Sequence, residues 1–495
     1  MHQAQWSPER PLPPPVSLAS QSHHEKPPEV TCTSRGEELP QIFPDYIGVT
    51  VPAGVAPLNF DLPEEYSKVY AKVSDRQGRS ITAKGSYAAF NVDKWHKLTE
   101  ANVGDTLAVT VAGFKDGKWE QFRSFMFFVS EYPLDDYGMT YRKFAPGYET
   151  YSKIGIYQRN IHNFDEEPIL EGTLLPGQCM GCHTANATSP DQFLFHLRGK
   201  HGATVVQRDG QRKWLETKTD KTIGRTAYSY WHPSGEYIAH SNNIIRQLFW
   251  TGNNERYIEV YDEASDVVVH NVNTDEFLLN PLLRTEDFET YPVFSSDGKT
   301  LYFCSAPKVE VPARAEDLHY NLCSIAFDKD TESFGDQVDT LIKASALGKS
   351  VTFPRPSYDG RWILYSYADF GNFPINHKDA DLWLLDLEDG STHPLERANS
   401  SYSESFHNWS SDSHWILFAS RRGDSLYSCI YVAEIDEDGN ASKPFLLPQK
   451  DPSFYHKTLF TFNVPDFTKE KVDFKIKGAY KEAFSDERVQ VRIKE

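Results

Sequence analysis

Four stretches of this chain are written on one template, and that repeat constrains the fold more than any single motif. They are YSYWHPSGEYIAHS (228–241), YPVFSSDGKTLYFCS (291–305), FPRPSYDGRWILYS (353–366) and FHNWSSDSHWILFAS (406–420). Each reads as an apolar strand, a tight Ser-Asp-Gly-like turn, and a second strand that alternates aromatic and aliphatic residues. Most run on into a third strand and an acidic turn, as in RYIEVYDEASD, LCSIAFDKD, LWLLDLEDG and CIYVAEIDEDG. This is the pattern of four-stranded β-propeller blades. The turn residues Gly235, Gly298, Gly360 and Ser413 lie 63, 62 and 53 positions apart. That exceeds a minimal blade, so loops such as 242–255 and 306–318 are expected to project. SPDQFLFHLRG (189–199) fits a fifth blade with Pro190 and Asp191 in its turn. A sixth assembles from both ends, with YHKTLFTFNV (455–464) pairing with YSKIGIYQRN (151–160). Such closure protects strand edges, and six blades are expected rather than seven.

The repeats occupy about residues 140–467. Before them, 44–133 breaks into short alternating segments such as KVYAKVSD, TLAVTVAGF and RSFMFFVSEY, with Arg76-Gln77-Gly78 and Lys115-Asp116-Gly117 as hairpin turns. About ninety residues of this kind predict an immunoglobulin- or fibronectin-like sandwich, a packing module in which Trp95 and Trp119 belong to the core. Residues 1–43, with PLPPP and no hydrophobic period, read as linker or disordered tail, and 468–495 as a C-terminal tail. The expected class is therefore all-β. Aromatics at 14% with 26 Tyr and 31 Phe, against 4 Met, favour this over helical bundles.

The motif that carries chemistry is CMGCH, Cys179 to His183. Two thiols three residues apart, followed by an imidazole, are the arrangement that fixes a c-type haem: the thiols add to its vinyl groups and the histidine ligates iron. With 6 Cys and 17 His in 495 residues, chance supplies about 0.002 such pentamers, so the spacing is not accidental. A zinc site would want a second Cys or His pair at similar spacing, and no other C-x-x-C exists here. A redox dithiol would want the pair opening a helix after a strand, whereas Gly177-Gln178 and His183-Thr184-Ala185-Asn186 look like loop and strand. CMGCHTANAT falls where the other blades have their first, innermost strand, so the haem is expected at the channel mouth. The other cysteines of apolar runs, Cys304, Cys323 and Cys429, read as core; whether Cys304 and Cys323 face each other across a hairpin is left open.

His196 is the leading sixth ligand. In FLFHLRG, Phe193, Phe195 and Leu197 share one strand face and leave His196 and Arg198 on the other, where haem iron and a propionate would partner them. A histidine hydrogen-bonded within its blade is the equal alternative. Met139 and Met126 precede the motif; Met126 reads as sandwich core, and His201, His232, His240 and His407 as exposed or structural. No phosphate loop, nucleophile elbow or His-Glu-x-x-His pair is present, and the Asp-rich turns at Asp328-Lys329-Asp330 and Asp436-Glu437-Asp438-Gly439 lack a full calcium ligand series.

The turn phrases, together with the N-terminal module, YRKFAPGYE, GIYQRN, CMGCH, FLFHLRG, WHPSGEYIAHS and EVYDEASDVVV, resemble a group of exported Bacteroidetes proteins, TolB-like propellers with one c-type haem motif. The likeness covers about 44–467. It implies one covalent haem c per chain, on Cys179, Cys182 and His183, and a periplasmic or envelope location with a redox or envelope protein as partner. The N-terminal stretch shows no 7–15-residue apolar leader core, which is at odds with export. A net charge of −19 disfavours nucleic acid and anionic membrane surfaces, and no apolar run is long enough to span a bilayer. Three functions follow: one-electron transfer, a non-catalytic interaction scaffold with structural or sensory haem, and a peroxidase-like haem enzyme.

Overall fold

The computed structural model describes residues 36–145, 154–173, 179–249, 258–485 and 487–495. Most of the tail expected over 1–43, Gly177, Gln178 and the end of the 242–255 loop lie outside the described residues. Six four- or five-stranded antiparallel sheets follow one another along the chain and make the six blades of a propeller. Blade 2 runs Cys179–Asn186, Ser189–Arg198, Ala203–Arg208 and Gln211–Glu216 from its inner to its outer strand. Blades 3 to 6 begin at inner strands Thr226–Trp231, Phe288–Phe294, Ser350–Pro356 and Glu404–Trp409. Ser-Asp-Gly turns follow four of these strands because a carboxylate or hydroxyl closes the turn onto its own backbone: Asp297 accepts from the Lys299 amide, and Asp359 from that of Arg361. Blade 2 differs. Its first hairpin turns at Ala187 and Thr188, both at positive φ as a two-residue primed turn requires, three positions before the expected Pro190-Asp191.

Blade 1 closes the ring from both ends of the chain, but with a different partner from the one expected. Its inner strand, Thr461–Thr468, pairs with Gly138–Phe144, and it is Gly138–Phe144 that pairs in turn with Ile154–Asn160. GMTYRKF escapes a sequence reading because its first four residues are buried on both faces and show no alternation. The C-terminal segment expected as a tail is also part of the ring. Val489–Gln490 and Arg492–Ile493 add parallel strands to the outer edges of blades 2 and 3. The helix Ile476–Phe484 buries Ala479 and Ala483 against blade 2, while its Glu482 accepts from Arg212 and from the Trp214 indole at 2.6 Å.

The cores lie between neighbouring blades; Leu364 and Leu384 of blade 5, for example, meet Trp409, Ile416 and Phe418 of blade 6. Cys304 and Cys323 are free and buried in separate clusters, on opposite faces of their hairpin. The N-terminal strands form one six-stranded ladder, in which Thr106–Lys115 pairs along one side with Lys68–Ser74 and along the other with both Phe125–Val129 and Lys118–Gln121. A helix, Val92–Glu100, is capped by Asn91 and stacks Trp95 on Phe127 at 5.5 Å. This unit shares a core with Trp415, Leu417 and Val432 of blade 6, and its Tyr46 hydroxyl donates to the Leu446 carbonyl.

Candidate functional site at the channel mouth

Every inner strand carries a β-bulge with one residue at positive φ: Cys182, Tyr228, Tyr291, Phe353, Phe406 and Val464, at φ 44° to 52°. A non-glycine residue in this region costs roughly 1–3 kcal/mol, so its recurrence in all six blades marks a demand of the ring itself. Tyr228, Tyr291, Phe353 and Phe406 follow one another around the inner strands at ring centroid distances of 4.5, 4.1 and 4.9 Å. Cys182 is the smallest of the six and, like Tyr228 and Val464, is half-buried. CMGCH is thus an inner-strand bulge, extended from Cys179 and hydrogen-bonded to the next strand, with Cys179 opposite Arg198 and Gly181 opposite His196.

The residue after each bulge points away from the ring. In blade 6 it is His407, whose Nε2 lies 3.0 Å from the Leu364 carbonyl of blade 5. In blade 2 it is His183, buried beside the backbone of Thr140 and Val464 of blade 1 and 6.0 Å from the Phe193 ring. These are corresponding contacts, because Thr140 pairs with Asp466 as Leu364 pairs with Arg355. Neither His183 ring nitrogen makes a well-aligned hydrogen bond. Burial is the main reason its pKa falls to about 4.

Covalent haem attachment needs two thiols and an imidazole presented together. At about 3.3 Å per residue an extended strand sets the Cys179 and Cys182 backbones roughly 9–10 Å apart, less what the bulge takes up. His183 is turned into the seam between blades 1 and 2. A haem held by Cys179, Cys182 and His183, as the motif leads one to expect, would need the His183 ring to turn out of that seam. His196, expected as its sixth ligand, has both nitrogens occupied: Nδ1 meets the Thr204 hydroxyl at 2.9 Å and Nε2 the Ser229 hydroxyl at 2.8 Å. Ser229 also meets His240 Nδ1 at 2.6 Å, and burial pushes His196 down to about 3. Among the described residues no group of three or more His, Cys, Asp or Glu is arranged around a common metal position.

Arg198 is a different case. Its side chain is exposed by area yet recessed enough for desolvation to work against its charge; Cys182, Tyr228, Cys179 and Asp262 nonetheless hold its pKa above the ordinary value. It forms no ion pair or hydrogen bond among the described residues, and it helps to line a cavity of about 220 Å³ with His196, Thr204, Arg225, Thr226 and Asn243. Cys179 is held from another side, with Arg142 Nη2 3.6 Å from its sulfur.

Over the mouth lies the long hairpin of blade 3, Tyr237–Phe249 with Ile258–Asn271. The acidic residues of RYIEVYDEASD, expected in a turn, lie inside the second of these strands. Two of them latch the hairpin to blade 5, across blade 4. Glu259 accepts from His377 Nε2 at 2.8 Å, and Asp262 Oδ2 accepts from the Asn372 and Asn243 amides at 2.7 Å each. Gly371 permits this approach: at φ 76°, a Cβ there would meet His377 and Glu259 at 3.3 and 3.4 Å. Burial raises the Asp262 carboxyl to about 7, and its Oδ1 has no partner. These latch residues are invisible to motif spacing; the signal was four acids, Glu259, Asp262, Glu263 and Asp266, inside one strand.

Solved structures similar to the chain include oligogalacturonate lyase in complex with manganese, 14% identical over 63% of this chain and 74% of that one, with a TM-score of 0.35. A putative 6-phosphogluconolactonase from Bacteroides fragilis is 14% identical, over 64% and 98%, at 0.34. The periplasmic gluconolactonase of Pseudomonas aeruginosa is 13% identical, over 66% and 99%, at 0.35. These likenesses say nothing about activity. No family model matches the chain, and no curated protein does. Within the described residues no helix is long and apolar enough to cross a membrane.

Proposed function

We propose that this chain is a β-propeller binding protein that holds a small anionic molecule at its channel mouth against Arg198. The observation that carries this reading is the guanidinium itself, which lines a cavity of about 220 Å³ and has no ion pair or hydrogen bond among the described residues in a chain of net charge −19. A carboxylate or phosphate matches its fork of N–H donors in two parallel hydrogen bonds. Asp262, with a free Oδ1 and a carboxyl that holds its proton to about pH 7, is a neighbour able to donate to or accept from a ligand hydroxyl. Electron transfer and peroxidase-like chemistry both need a haem on Cys179, Cys182 and His183, and the burial of His183 in the seam between blades 1 and 2 favours the non-catalytic reading.

Citrate or inorganic phosphate should raise the unfolding temperature of the intact chain, and Arg198→Met should remove the shift. Equal shifts in both proteins would place anion binding elsewhere on the surface. When the chain is exported with a leader alongside a c-type maturation system, its intact mass should be that of the polypeptide alone. A haem adduct that disappears in the Cys179→Ala, Cys182→Ala variant would restore the electron-carrier reading.

A further inference from the structure

We infer that the mouth takes a small amino acid, its carboxylate on Arg198 and its ammonium among the buried oxygens around Asp262, an inference that rests on the anion-binding reading above. Asn243 of the blade 3 hairpin and Asn372 of blade 5 both donate their amide N–H to the same carboxylate oxygen, Asp262 Oδ2, at 2.7 Å. That fixes their orientation, because an amide whose nitrogen faces a carboxylate turns its oxygen elsewhere. Bond lengths set the nitrogen and oxygen of an amide about 2.2 Å apart, so Asn243 Oδ1 and Asn372 Oδ1 each lie within about 5 Å of Asp262 Oδ2. Neither oxygen has a donor, and neither has Asp262 Oδ1. All three side chains are at least nine-tenths buried. Ser265 pairs with Asn243 across the hairpin, so the two share a sheet face, and its buried hydroxyl is unpartnered as well.

A buried acceptor without a donor is costly, and here three of them surround a carboxylate whose side-chain partners among the described residues are two neutral amides. An alkylammonium brings three donors, no acceptor and one positive charge, whereas a hydroxyl would bring one donor and a further acceptor. The group therefore suits an ammonium. Asn243 also lines the cavity of about 220 Å³ that Arg198 lines, which puts the unpaired guanidinium and the first of these oxygens on one space. Its volume is below the roughly 300–1,000 Å³ of sites for drug-sized ligands, so the molecule that carries both charges is small.

The test is calorimetric titration of the intact chain at low salt with glycine, β-alanine and 4-aminobutyrate, each beside the acid that lacks the amine: acetate, propionate and butyrate. The three spacings sample the separation of the two charged ends. In at least one pair the amino acid should bind about tenfold tighter or more, as hydrogen bonds to a charged group give. Asp262→Asn should cancel that preference, and Arg198→Met should weaken both members of the pair. Should Asp262→Asn fail to fold, Ser265→Ala, which removes no side-chain hydrogen bond of the fold, takes its place and should reduce the preference. Equal affinities in all three pairs, a preference that the substitution leaves intact, or the same heat from sodium chloride alone would each overturn the inference. If the acids bind through Arg198 and the amine adds nothing, the ammonium inference falls alone; if Arg198→Met changes neither these titrations nor the response to citrate and phosphate, the binding reading falls with it.

Discussion

A single histidine shows how one residue type at one spacing can serve two different ends. His183 completes a haem-attachment pentamer in the sequence, yet in the fold it repeats what His407 does at the seam between blades 5 and 6. Both are buried, and burial pushes both down, to about 4 and about 3, so both act as neutral rings packed on a neighbouring backbone. Truncating either leaves a cavity at a blade seam. His183→Ala and His407→Ala should therefore lose similar stability, about 1–3 kcal/mol each, in urea unfolding of protein that has never met haem. A His183→Ala chain as stable as its parent, beside a weakened His407→Ala chain, would separate the two roles and reopen the ligand reading.

At the scale of the element, the hairpin of blade 3 is held over the mouth by acids that burial does not favour. Asp262 keeps its proton to about pH 7 in the fold and sheds it near 3.9 when unfolded. Between those values the native state binds the extra proton, so this group's contribution falls as pH rises from about 4 to about 7 and is flat beyond. Asp262→Asn escapes that loss: its stability relative to the parent should climb between pH 5 and pH 8, followed by denaturation midpoints at each pH. A constant difference would mean that the carboxyl does not titrate in this window. The blades were legible in the sequence because a turn and its flanking alternation are local. The bulge ring was legible too, in the aligned CHTA, YSYW, YPVF, FPRP, FHNW and VPDF, with proline after three of the six bulges. Reading CMGCH by spacing alone hid that alignment, since spacing carries no backbone angle. That Glu259 meets His377, more than a hundred residues away, had no local signal: the acids in the strand mark Glu259 but not its partner.

For the whole molecule the decisive element is the strand Thr461–Thr468, which joins the last-made part of the ring to the first. Its Asp466, which burial raises to about 6, accepts from the Ala185 amide of blade 2 at 2.8 Å and from the Asn408 amide of blade 6, so one carboxyl ties three blades together. Asp466→Ala would strand both donors in a buried setting. It should cost about 2–4 kcal/mol, measured by chemical denaturation, and a loss under about 0.5 kcal/mol would show that the strand pairing alone holds the closure. The same strand sets a schedule for synthesis. A chain growing from its N-terminus makes Gly138–Phe144 and then waits for some three hundred further residues, roughly 15–60 s of translation, before the partner arrives. Until then the nascent ring is an open arc with two unpaired edges, and anything that shields those edges during that interval decides how much of the protein reaches its closed form.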